Sequence, residues 1–110
     1  MLYKLDENNN PILCSDYAEQ DQWRLSLDPE KQLCIGCIVD STVINNETVS
    51  TVFLAIDHNF GYSSNPKPIL FETMIFGGPR DQYQERYNTW DEALEGHNRI
   101  VNEIIEKATK

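Results

Sequence analysis

Two apolar, β-branched runs separated by one asparagine pair constrain this chain more than any other feature. Residues 33–44 read LCIGCIVDSTVI and residues 48–57 read TVSTVFLAID, with Asn45-Asn46 between them. β-Branched and aromatic side chains suit a pleated, half-buried surface, and asparagine tolerates the positive φ of a tight hairpin. The pattern predicts a long hairpin with its turn at Asn45 to Glu47. A third strand is predicted over Ile69 to Phe76 (ILFETMIF), stopped by Gly77-Gly78-Pro79. A sheet with one apolar face needs a cover, and the C-terminal segment supplies it. Thr89-Trp90-Asp91-Glu92 is a capping box with Thr89 as N-cap, and its acidic residues favour the positive end of the helix dipole. Trp90, Leu94, Val101, Ile104, Ile105 and Ala108 then recur at helical spacing, which predicts a helix as far as Lys107.

A shorter helix is predicted over Tyr17 to Leu25, capped by Ser15 or Asp16 with Glu19 as the acidic partner, and ending before Asp28-Pro29. Residues 1–11 are polar and close on the turn signal Asn8-Asn9-Asn10-Pro11, so they are expected to form a loosely held arm or a short edge strand. Residues 58–68 (HNFGYSSNPKP) and the charged DQYQERYN run to Asn88 read as exposed connections. The expected fold is α+β over a single domain, 1–110. A three-stranded antiparallel sheet, the long hairpin plus a third strand, carries the C-terminal helix on one face, and the short N-terminal helix closes an edge. Gly96 in mid-helix costs about 1 kcal/mol relative to alanine. Its presence predicts a close approach of helix to sheet.

At 110 residues the chain can bury about two-thirds of its unfolded surface, enough for a core without staples. It is acidic, with 18 Asp and Glu against 9 Lys and Arg and a net charge of -9. Most of the excess lies in residues 1–57, where 10 acids face 3 bases. Such a balance argues against direct nucleic-acid binding, which needs clustered Lys and Arg, and favours a basic protein surface as partner. No apolar segment follows a basic start and none approaches a membrane span, so the sequence-level expectation is a cytoplasmic protein without membrane contact. Cys14, Cys34 and Cys37 are an odd number, which predicts free thiols. Cys34-Ile35-Gly36-Cys37 is a CxxC in form, but a strand context sends residues three apart to opposite faces, so the pair reads as structural.

The candidate chemical constellation is Asp57 and His58 at the end of the second strand, Glu72 in the third, Arg86 in the next loop and His97 in the helix. Two histidines and two carboxylates are a conceivable metal set or acid–base pair. No HExxH, GxSxG or phosphate-cradling glycine pattern supports an enzyme, and no cofactor or resident metal is called for. His97 falls on the apolar stripe, so its ring is expected to face the sheet and to need a partner, either a backbone carbonyl or Glu72. Phe60, Tyr62, Tyr83 and Tyr87 lie in predicted loops and are candidates for an exposed recognition surface, alongside the acidic Asp16, Glu19 and Asp21.

Three segments, VSTVFLAIDHNFG at 49–61, PILFETMIFGG at 68–78 and RYNTWDEALEGHNRIV at 86–101, resemble a family of small uncharacterised bacteriophage and prophage proteins. The resemblance implies phage origin but carries no activity and no catalytic residues with it. With the acidity and the loop aromatics, it leads to the expectation of a non-enzymatic accessory protein that binds a host or phage protein. Inhibition of a bacterial defence system such as CRISPR-Cas is the sharpest version. The alternatives are a small metal- or ligand-binding enzyme using His58, Glu72 and His97, and a homo-oligomeric phage structural component.

Overall fold

The computed structural model describes residues 2–33, 35–57 and 67–108. In chain order they form β1 (Tyr3–Leu5), β2 (Pro11–Leu13), α1 (Tyr17–Leu25), a 3-10 turn at Pro29–Lys31, β3 (Cys37–Ile44), β4 (Glu47–Phe53), β5 (Phe71–Phe76), β6 (Gln84–Tyr87) and α2 (Trp90–Ala108). The fold is α+β, as the sequence pattern predicts. The sheet differs: it has four antiparallel strands in the order β3-β4-β5-β6, and β1 and β2 make a second, two-stranded sheet. The fourth strand occupies part of the charged run expected to be an exposed connection. Its charges do not prevent pairing, because Arg86 opposes Glu72 across the ladder and Tyr87 opposes Phe71.

The predicted strand ends also move inward. β3 begins only at Cys37, because Gln32 bridges to Cys37 and the Leu33 N–H donates to the Gly36 carbonyl just before it. β4 stops at Phe53, since Ala55 takes a positive φ that ends the extended run. The hairpin turn is where the asparagines place it, with Asn45 and Asn46 both at positive φ.

The N-terminal segment is not a loose arm. Tyr3 and Leu13 pair across the small sheet, the Tyr3 N–H donates to the Ala55 carbonyl, and Leu5 is buried. Gln20, almost fully buried on α1, donates to the carbonyls of Tyr3 and Ala55 and so ties hairpin, helix and strand exit together. Asp16 caps α1 through the Glu19 N–H, and the Glu19 carboxylate accepts in return from Ser15. Thr89 caps α2 through the Glu92 N–H.

Two apolar clusters fill the space between the sheet and its cover. One gathers Leu5, Cys37, Phe53, Ala55, Leu70, Phe71 and Ala93, with Trp23 and Trp90 against its rim. The other joins Val49 and Ile75 to Ile100 and Ile104 of α2. The face that α2 presents is rotated slightly from the predicted stripe. Ala93, Gly96, His97, Ile100 and Ile104 are buried, whereas Ile105 is 43% exposed. Among the described residues no helix is long and apolar enough to cross a membrane.

Strand register sorts the sheet into an inner face under α2 and an outer face turned away from it. The inner rows are Thr42-Val49-Ile75, Asp40-Thr51-Thr73-Glu85 and Cys37-Phe53-Phe71-Tyr87. The outer rows are Val43-Thr48-Phe76, Ser41-Ser50-Met74-Gln84 and Ile38-Val52-Glu72-Arg86. A β-bulge between Ile38 and Asp40 keeps β3 in step with this alternation.

Candidate functional site

One inner row is polar from edge to edge: Asp40, Thr51, Thr73 and Glu85. It lies between two apolar rows, and α2 brings His97 down onto it. A buried imidazole must be hydrogen-bonded or it forfeits its hydration. His97 is fully buried, with Nδ1 2.7 Å from Thr51 Oγ1 and Nε2 2.9 Å from Thr42 Oγ1. Thr51 Oγ1 lies 2.6 Å from Thr73 Oγ1, and Tyr87 Oη lies 3.1 Å from Thr73 Oγ1 and 3.3 Å from Glu85 Oε1. The result is an unbroken polar chain from Thr42 on β3 to Glu85 on β6.

Tyr87 Oη donates to Thr73 Oγ1, and this fixes the proton order along the chain. Thr73 then donates to Thr51 and Thr51 to Nδ1, while Nε2–H points to Thr42 and to Asp40, whose carboxylate is 3.6 Å away. This order needs only a neutral imidazole. Burial accordingly holds His97 below the ordinary histidine range, against the opposing pull of the Asp40 charge.

At its β6 end the chain reaches the surface. Burial works against the Glu85 charge, but donors from Tyr83, Arg99 and Tyr87 keep its carboxyl below the usual range. Arg99 pairs directly with Glu85 and lies 3.3 Å from Glu103. A shallow notch lined by Tyr87, Glu92, Glu95, Gly96 and Arg99 opens beside this end. Gly96 makes the approach feasible, because a Cβ there would overlap the Tyr87 phenol. Gly96→Ala is expected to destabilise the fold by about 1–2 kcal/mol, the overpacking cost exceeding the gain in helix propensity. Combining it with Tyr87→Leu should recover part of the loss, and thermal melts of the two singles and the double check this.

Of the described members of the predicted constellation, Glu72 and Arg86 meet, whereas His97 does not join them. Glu72 belongs to the outer face, where its Oε2 receives Arg86 Nε at 2.9 Å, whereas His97 sits beneath the inner face and bonds to threonines. The intervening sheet prevents Glu72 and His97 from sharing a ligand. Asp57 turns its carboxylate to the Ile69 N–H and shapes the strand exit. His58, Phe60 and Tyr62 lie outside the described residues. Among those described, no cluster of three His, Cys, Asp or Glu side chains could hold a metal ion.

The recognition candidates separate too. Tyr83 is 39% exposed and donates to Glu85, whereas Tyr87 is half-buried and drawn into the inner row. Asp16 caps α1, Glu19 lies 3.6 Å from Lys4 Nζ, and Asp21 pairs with Arg24 at 3.1 Å. All three are thus engaged locally. Cys37 is buried in the Phe53 row with its thiol pushed up to about 11 by burial, so it is unsuited to redox or metal chemistry. Cys34 lies outside the described residues. Sequence reasoning missed Thr42, Thr51, Thr73 and Gln20. The available signal was the pair Thr51 and Thr73, each between apolar residues at alternate positions of a strand.

No family model, no curated protein and no solved structure matches this chain.

Proposed function

We propose that this protein is a non-enzymatic accessory protein that acts by binding another protein through the outer face of its four-stranded sheet. The observation that carries this reading is the bareness of that face. Among the described residues both helices lie on the inner side, leaving Val43 72% and Phe76 47% exposed in one row, with Met74, Val52 and Ile38 behind them. Exposed apolar groups gathered on one rimmed face mark interaction surfaces, whereas scattered ones do not. The face fits better than the β3 edge, because the bulge and Asp40 hinder strand addition there. Against catalysis stands the sealed position of His97, whose two nitrogens are both taken by threonine hydroxyls.

The net charge of -9 favours a basic partner surface. With the phage resemblance of residues 49–101, the sharpest form of the proposal is inhibition of a bacterial defence complex built to bind nucleic acid. Affinity capture from infected host lysate tests it. Val43→Lys with Phe76→Lys should abolish recovery of a stoichiometric partner while leaving the melting temperature nearly unchanged, since both side chains are exposed. Retention of the partner by that variant would refute the assignment of the face. A wild-type mass of twice the monomer that falls to monomer in the variant would instead assign the face to self-association.

A further inference from the structure

A second feature lies at the opposite end of the inner face from the polar chain's Thr42. Trp23 of α1 stands edge-on to Phe53 at 5.6 Å between ring centroids, and Trp90 of α2 stands edge-on to Phe71 at 6.4 Å. Phe53 and Phe71 are themselves 5.3 Å apart, so the two indoles are anchored to one aromatic floor. Between them opens a cleft of about 200 Å³, walled further by Leu27 and Val39. Val39 is the residue set aside by the β3 bulge, a device that re-aims side chains beside binding sites. Drug-sized ligands occupy about 300 Å³ or more. This cleft accepts something smaller.

Beside Asn9, its charged groups are two and opposite in sign. Asp6 and Lys31 both line the cleft, yet they form no ion pair with each other or with any other described residue. Asp6 Oδ1 is committed to the N–H groups of Asn8 and Asn10, which fixes the carboxylate and leaves Oδ2 to accept. An apolar slot with one fixed anion and one cation in its lining complements a molecule with an apolar body, an ammonium and a carboxylate.

We propose that the Trp23–Trp90 cleft is a binding site for a free α-amino acid with a leucine- to phenylalanine-sized side chain, its ammonium on Asp6 and its carboxylate on Lys31. The cleft shares Ile38 with the outer sheet face but is separate from the exposed Val43 and Phe76. Both tryptophans of the chain line the cleft, so tryptophan-selective fluorescence and the two indole N–H signals report on it.

The test titrates the full-length protein with L-leucine and L-phenylalanine, following the emission and the indole resonances. Saturation of both signals below about 10 mM is expected. The N-acetyl and amide derivatives, each lacking one charge, should bind about tenfold more weakly or worse. Lys31→Gln and Asp6→Asn should do the same, and asparagine at position 6 keeps the acceptor that orders the turn. No saturation by either amino acid at about 10 mM would overturn the proposal. So would equal binding of the capped derivatives to wild-type protein, a result that points to a peptide terminus or to apolar contact alone and that stands even if a variant misfolds.

Discussion

Gly36→Ala is expected to cost about 3 kcal/mol or more, which is a large part of the 5–15 kcal/mol that holds a domain of this size together. The reason is backbone, not side chain. A Cβ on Gly36 would overlap the carbonyl oxygen of Phe53 and crowd its carbonyl carbon. Neither atom can rotate away, because Phe53 ends β4, pairs with Cys37 on one side and Phe71 on the other, and buries its ring completely. To admit a methyl group the start of β3 must lift off β4, and that separates Cys37 from the apolar row it completes. Thermal unfolding should show a fall of about 12 °C or more. Gly78→Ala provides the contrast. There the nearest atoms a Cβ would meet belong to the flexible Glu47 side chain, and the positive φ of 73° adds a penalty of about 1 kcal/mol. A Gly36→Ala protein that melts with wild type would show that the two strands are not packed this closely.

That glycine also explains why the CxxC is an apparent motif. Gly36 separates the two cysteines because the chain must turn and cross the Phe53 carbonyl before β3 begins, and Cys37 follows as the first inward side chain. Local signals were sufficient wherever local chemistry decides the conformation. Asp16 and Thr89 cap the helices predicted from their side chains, and Asn45-Asn46 turns the hairpin. Legibility ended where a residue's role depends on its neighbour across the sheet. Gln84 to Tyr87 is too short and too charged to declare itself a strand, and only pairing with β5 makes Arg86 a partner of Glu72 and Tyr87 a partner of Thr73. His97 could be placed against the sheet from the helical period. Its partners could not be named, because register decides that Thr51 and not Glu72 lies beneath the ring. Thr51 and Thr73 are β-branched, so their strand propensity hides the polar work of their hydroxyls.

The polar row is expected to behave as a unit. His97→Leu removes one partner from each of Thr42 and Thr51, and Thr51→Val leaves Nδ1 of a buried imidazole unpaired and takes a neighbour from Thr73. Each single substitution should cost about 2 kcal/mol, because a stranded buried donor or acceptor loses its full hydration. Replacing both partners strands less than the two single changes together, so the double variant should cost about 1 kcal/mol less than their sum. Additive losses would mean that the two groups do not meet. Proton linkage gives the same variant a second signature. In the unfolded chain histidine takes up a proton near pH 6.5, while burial keeps folded His97 neutral to lower pH. Between those two values the unfolded state binds more protons, so stability falls as pH drops below about 6.5 and levels off once the folded imidazole also charges. Above pH 6.5 the group contributes no slope. Asp40 faces Nε2 and limits the depression, and Glu85, held below the usual carboxyl range, loses its own contribution only at more acidic pH. The melting temperature of wild type should therefore decline from pH 7 towards about pH 5.5 more steeply than that of His97→Leu. His58 is common to both proteins, so the difference between the two curves isolates His97, and parallel curves would show that its ring is open to protonation in the folded protein.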